Sequence, residues 1–343
     1  MAIDFMTEAT GQELLDELRL VGAYTKIYLE GLEIDSWAAL VEIAKSGKAN
    51  TVLQVGDVIN STYTVGDNVY QCPWLVMDFR DVELENGKTY KNVPIIQMQY
   101  TTHENCQFDP AENVEATEET AQEGYYYCGY DGENYTMLSL SAGATIPYGS
   151  YTKVYKTLWN SANAIRYGLH AWKLSWARQY LNNSGLGSEW AQPQHACDVL
   201  PSGYASVTGF KSRMPADMIA ALHPIKITTK RGTWDGNGTD VTYDMFWLAS
   251  CSEMNFKNTN ISADDGTPWQ YYKELLNSET KKDTGTYEVM KRYAVNATTS
   301  AQSWWSRSAN LGYGAEWGVY DSGGVGGNAP SSSGRLLPAC AII

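Results

Sequence analysis

The hydrophobic positions of this chain change their period twice. Near the start, Leu14, Leu15, Leu18 and Leu20 recur at close to helical spacing and predict a helix over residues 11–21, with Thr7 or Thr10 as its cap. Trp37, Leu40, Val41 and Ile43 form a second stripe. It predicts a helix over 36–47, with Ser36 as N-cap and Gly47 as the stop. From residue 51 the pattern becomes short apolar runs bounded by turn residues. Strands are predicted over 51–59, 68–79, 93–100, 124–130 and 135–140. Gly66-Asp67, Asn86-Gly87 and Asp131-Gly132 separate them, and the last of these, between two tyrosine-rich runs, predicts a hairpin.

A Gly/Ala/Pro stretch at 142–148 marks a change of character. Leu169, Trp172, Leu174, Trp176 and Leu181 predict a helix over 167–181, stopped by Asn182-Asn183-Ser184-Gly185. A short helix follows over 214–222, with Pro215 in its first turn. Strands are predicted over 245–249, 303–308, 316–321 and 336–342. Helices first and short strands last, joined by long loops, form an α+β pattern. The reading divides the chain into an N-terminal helical segment (1–50), a small all-β module (51–145) and a C-terminal domain (146–343). No tandem repeat is present.

Composition narrows the chemistry. The 343 residues hold 24 Tyr and 12 Trp but only 6 Phe. Tyr and Trp join apolar area to a polar tip, which suits contact surfaces and sugar faces as well as cores. The net charge of −14 argues against nucleic acid and against an anionic membrane surface. No apolar run reaches the ~18 residues of a membrane span, and residues 1–20 do not have the form of a signal peptide. The six Cys are far apart with no C-x-x-C pair, so a zinc ribbon has no support and buried free thiols are expected.

Residues 304–343 carry the functional reading. They contain eight Gly, six Ser and only four charged residues, Arg307, Glu316, Asp321 and Arg335. Proton transfer and nucleophilic attack need titratable groups within reach of each other, and this segment lacks them. Elsewhere, Asp235-Gly-Asn237-Gly-Thr239-Asp240 starts like a calcium loop. It lacks the glycine at loop position six and the acid at position twelve, so it reads as a polar turn. His195 and Cys197 are close in sequence but form no metal spacing, and no G-x-S-x-G elbow occurs. Neither a catalytic residue, a metal site nor a cofactor is expected.

Three segments carry a resemblance: Asp244-Met-Phe-Trp-Leu-Ala-Ser-Cys-Ser-Glu253, Trp304-Trp305-Ser-Arg307-Ser308-Ala, and Gly334-Arg-Leu-Leu-Pro338-Ala339-Cys340. Together they resemble the C-terminal domain of phage and prophage proteins from Firmicutes and other gut bacteria, over about residues 155–343. That domain is similar to the C-type-lectin fold. The variable proteins of diversity-generating retroelements, phage tropism determinants among them, use this scaffold.

The resemblance implies a C-type-lectin-like domain and a non-enzymatic, receptor-recognising protein, carried in a phage particle or in host cytoplasm before assembly. A virion structural or decoration protein is the alternative. The implied partners are a bacterial cell-surface protein or glycan and other virion proteins, with a homo-oligomer such as a trimer as an option. In such retroelements, template adenines are miscopied and Asn codons diversify. Randomising the first two bases of AAC never yields Trp, Glu, Gln, Lys or Met. Residues 306–343 contain only Glu316 and Trp317 from that set.

The implied frame is Trp304, Trp305, Ala309, Ala315, Val319, Ala329, Leu336, Pro338 and Cys340. The displayed set is Leu311, Tyr313, Gly318, Tyr320, Asp321, Asn328, Pro330, Ser331, Ser332 and Arg335. Strand alternation assigns Glu316, Gly318 and Tyr320 to the face opposite Ala315 and Val319, with Trp317 in the core. Arg307, with five donors, either ties loops together or meets ligand.

Overall fold

Antiparallel pairing joins segments from residues 58–98 and from the last hundred residues in one sheet. This computed structural model describes residues 36–110, 113–194, 197–198, 202–276 and 286–343. The helix expected over 11–21 lies outside them. The central sheet has five strands in the order Val58–Ile59, Trp74–Glu83, Thr89–Met98, Pro338–Ala341, Trp247–Leu248. Every neighbouring pair is antiparallel. Cys340 sits across from Ile96 and Ala339 across from Gln97, so the last strand pairs with one laid down some 240 residues earlier.

That pairing corrects the expected domain division. Residues 51–145 are not a separate all-β module. The hairpin Trp74–Glu83 and Thr89–Met98 is the middle of the sheet that the C-terminal strand completes, and one hydrophobic core runs from Trp37 to Ile343. The boundary at 145 also falls inside a second sheet, because Lys153–Thr157 pairs with Tyr126–Tyr130. That three-stranded sheet, completed by Tyr135–Leu138, packs on a satellite core of Ala116, Ala121, Tyr127, Ile146 and Val154.

Local sequence explains several elements. The helix Trp37–Lys45 buries Trp37, Leu40, Ile43 and Ala44 on one side, with Ser36 at its N-cap. The Asp131-Gly132 hairpin forms between Tyr126–Tyr130 and Tyr135–Leu138. The Asp131 carboxylate accepts from the backbone N–H groups of Glu133 and Asn134, and Gly132 takes a φ of +112° that other residues avoid. Residues 51–59 begin instead with the short helix Ala49–Val52, and the strand there is only Val58–Ile59. The helix expected over 167–181 is broken into Ala162–Tyr167, a 3₁₀ turn at Trp172–Leu174 and Trp176–Asn182. Ser175 caps the last of these by accepting from Arg178 N–H at 3.1 Å.

The chain is α+β, with 21% of the described residues in helix and 36% in strand. Many of its aromatics build the core. Phe210 meets Phe246 edge-on at 4.9 Å, and Trp176 lies 5.2 Å from Trp190 and 4.3 Å from Tyr204. Such pairs contribute about 0.5–1.5 kcal/mol each beyond the area they bury. All six cysteines are buried, and none forms a disulfide.

Candidate binding surface

A third sheet, Trp304–Ala309, Glu316–Val319 and Val325–Asn328, carries the segment that the sequence singled out. All six residues of Trp304–Ala309 are buried. Arg307 explains how this strand is held. Its guanidinium donates to both oxygens of Glu253 (2.5 and 3.0 Å), to Leu248 O (2.7 Å) and to Asp265 O (2.5 Å). Glu253 is positioned by a reciprocal turn, accepting from Ser250 N–H at 2.9 Å while its own N–H donates to the Ser250 hydroxyl. Ser308 accepts from Cys251 N–H, and the Ser306 hydroxyl donates to Trp317 O. Trp305 N–H donates to Arg335 O at 3.0 Å, and Trp247 sits across from Ala339. The three sequence segments that share the resemblance therefore meet in space, and Arg307 ties loops together.

From this frame the loop 310–315 rises. Its base is pinned by Asn310 N–H to Ala315 O (2.9 Å), Leu311 N–H to Asn260 O (3.0 Å) and the Thr233 hydroxyl to Leu311 O (2.7 Å). Tyr313 stands at its crown, 64% exposed. Asp321 is exposed, and Leu311, Tyr320, Asn328, Ser331 and Ser332 are half-buried.

Residues 152–342 match a family model described as Domain of unknown function (DUF6273). The chain belongs to the DUF6273 family. No curated protein and no solved structure matches it. The DUF6273 region begins in one strand that pairs outside it, Lys153–Thr157 with Tyr126–Tyr130. It ends in another, Pro338–Ala341, that pairs with Thr89–Met98.

Within the DUF6273 region, three of the displayed residues have structural duties instead. Gly318 is buried, and a Cβ added there lies 2.9 Å from the Trp304 carbonyl oxygen, so the strand needs glycine for close approach. Pro330 is buried and its carbonyl accepts from Asp109 N–H. Arg335 donates from Nε to the Gln302 amide oxygen at 3.0 Å and from Nη1 to the carbonyls of Thr102 and His103. The alternation expected for this strand does not hold. Glu316, Trp317, Gly318 and Val319 are all buried, because layers cover both faces. Tyr320 leans back over Val325–Asn328 and its hydroxyl donates to Gly327 O at 3.2 Å.

Beneath the surface lies a set of buried acids that the sequence reading missed. Glu316 is fully buried and its carboxyl has no hydrogen-bond partner among the described residues. Burial first, then the charges of Asp265 and Asp235, hold its pKa well above the usual carboxylate range. Asp235 is not free for calcium. It accepts from the backbone N–H of His170 and pairs with His170 Nδ1 at 3.1 Å, both side chains being buried. Burial, opposed by Lys230 N–H and Arg307, raises Asp265 to about 6. A second cluster stitches the halves together, with Glu104 accepting from the Tyr63 and Tyr180 hydroxyls at 2.9 Å each and from Arg213.

Cys197 is buried, and burial pushes its thiol up to about 11. His195 lies outside the described residues. Among the described residues no group of three metal-ligating side chains converges, and no helix is long and apolar enough to cross a membrane. A pocket of about 580 Å³, lined by Phe256, Ile261 and Pro268, opens in the loop that carries Glu253.

Proposed function

We propose that this is a non-enzymatic receptor-recognition protein of a phage or prophage. Its DUF6273 region is a C-type-lectin-like domain that presents a variable surface within residues 306–335 to a bacterial cell-surface protein or glycan. One observation carries the reading: a large aromatic, Tyr313, is exposed at the crown of a loop whose base is pinned to a buried frame. Exposed tyrosine with serine and asparagine beside it, on rigid supports, is how recognition loops combine area with adaptable hydrogen bonds. The surface narrows to Leu311, Tyr313, Asp321, Asn328, Ser331 and Ser332, with the ring of Tyr320 at its edge.

Diversification by a retroelement fits the same partition. Glu316 and Trp317, the two residues that Asn-codon mutagenesis cannot make, are both buried. The neighbouring DNA tests this. The proposal expects an adenine-rich near-copy of the 3′ end beside a reverse transcriptase gene, differing at the codons of the surface residues. A near-copy whose differences fall on Trp304–Ala309 would sink it.

A further inference from the structure

The small sheet of Tyr126–Tyr130, Tyr135–Leu138 and Lys153–Thr157 presents a second surface, separate from the loops above. Tyr127 faces the satellite core with Val154, and Leu138 packs against it there. Strand alternation then sends Tyr126, Cys128 and Tyr130 to the opposite face. The register sets Tyr135 across from Tyr130, and Tyr155 across from Cys128. Four tyrosines thus share one face of a three-stranded sheet. The Tyr130 and Tyr135 rings are 4.7 Å apart and those of Tyr135 and Tyr155 are 6.1 Å apart. Between them Cys128 is buried, so the rings lie over a small side chain. Tyr126 is exposed, and the other three are half-buried.

A cation borders this face. The helix Ala162–Tyr167 packs beside the strands Tyr135–Leu138 and Lys153–Thr157. Its Arg166 is exposed, lies 4.7 Å above the Tyr167 ring and has no carboxylate partner among the described residues. Burial, then Tyr155 and Tyr130, raise the Tyr135 phenol above its ordinary value, and Arg166 is the cation that opposes them. The nearby lysines are committed: Lys153 pairs with Glu115 at 3.2 Å and Lys156 with Glu118 at 3.7 Å. Arg166 is therefore the uncommitted charge beside the tyrosines, and it complements an anion.

We infer that this face is a carbohydrate-binding site for a glycan bearing an acidic sugar, in which Tyr130, Tyr135 and Tyr155 stack on the sugar and Arg166 takes its carboxylate. Aromatic faces carry negative charge density that attracts the polarised C–H groups of a pyranose. The Tyr130 hydroxyl donates to Gly132 O at 2.6 Å, and its oxygen keeps a lone pair that accepts from a sugar hydroxyl. Arginine is the residue that grips a carboxylate at two points. A single-stranded nucleic acid also stacks on aromatic rings, but it needs a basic track that a chain of net charge −14 with one free arginine here does not supply. The inference does not rest on the loop reading.

Native gel electrophoresis of the full chain through immobilised polysaccharide tests it. Polygalacturonate is the acidic probe and dextran the neutral one. Retardation by polygalacturonate is expected, with an affinity at least about tenfold above that for dextran, the size of one charge-assisted contact. Tyr135→Ala with Tyr155→Ala abolishes retardation, whereas Tyr135→Phe with Tyr155→Phe keeps most of it. Arg166→Met removes the preference for polygalacturonate and leaves binding to dextran unchanged. Tyr313→Ser leaves every mobility unchanged. An unretarded wild-type chain overturns the inference, as does retardation that survives both the alanine pair and Arg166→Met with melting intact. Retardation lost only in Tyr313→Ser would assign sugar binding to the loops and remove it from this face.

Discussion

Arg307 and Glu253 lie 54 residues apart and grip each other through two hydrogen bonds inside the core. Their side chains are 2% and 11% exposed. This pair fastens the strand Trp304–Ala309 to the loop after Trp247–Leu248, and the loops proposed to meet ligand are built on that strand.

Breaking the pair from one side leaves a buried charge. Arg307→Met is expected to destabilise the fold by about 3–5 kcal/mol, whereas Arg307→Met with Glu253→Met recovers a large part of the loss. Urea unfolding of the three chains measures both effects. Equal stability of Arg307→Met and wild type would mean that the pair is not the fastening described.

Glu316 makes stability depend on pH with a definite sign. Its folded pKa lies well above the ordinary value of 4.5. Below about pH 4.5 both states hold the proton, and Glu316 adds no slope. Above it the unfolded chain releases the proton while the folded chain keeps it, so stability falls as pH rises, by up to about 1.4 kcal/mol per unit, until the folded pKa is passed. Asp265, raised to about 6, adds a similar loss at lower pH. Glu316→Gln is therefore expected to flatten the decline that sets in above about pH 4.5 and continues past the range of Asp265. Unfolding at pH 5, 6, 7 and 8 checks it, and identical slopes would contradict a protonated Glu316.

The strand Pro338–Ala341 needs its upstream partner. A chain of residues 152–343 keeps the whole DUF6273 match but loses Thr89–Met98 and the register of Cys340 with Ile96. Such a fragment is expected to melt without a cooperative transition and to expose thiols to Ellman's reagent. In the full chain all six cysteines are buried and are expected to stay unreactive. A cooperatively melting fragment with protected thiols would show that the region stands alone.

The frame and the surface should respond differently to alanine. Gly318→Ala drives a Cβ to 2.9 Å from a backbone oxygen and is expected to cost about 1–3 kcal/mol. Asn328→Ala, half-buried in the neighbouring strand, is expected to stay within about 0.5 kcal/mol of wild type. Differential scanning calorimetry of the two distinguishes them.

How much of this was legible in the chain follows from range. The helix Trp37–Lys45 and the Asp131 hairpin were readable because an apolar stripe and an Asp-Gly turn are local. Pairing of Cys340 with Ile96 leaves no local trace, so the sheet that unites the ends was read as two domains. Alternation failed at Glu316–Val319 because a strand covered on both faces has no polar side. Strand alternation assigned Glu316 to the face opposite Ala315 and Val319, and nothing local to it signals the layer that covers it. Among the surface residues, Tyr313 belonged to the displayed set that the resemblance implied, and it lies between Gly312 and Gly314. The duties of Pro330 and Arg335 depend on Asp109, Thr102 and His103, more than 200 residues upstream, and no sequence spacing reveals them.

On the proposed surface, Tyr313, Asn328 and Ser331 set partner choice without belonging to the frame. Randomising these three positions in the full chain and panning the library on intact cells of several bacterial strains tests it directly. Different strains are expected to enrich different residues there, while unselected members melt within about 2 °C of wild type. Loss of folding across the library, or the absence of strain-specific enrichment, would contradict the account.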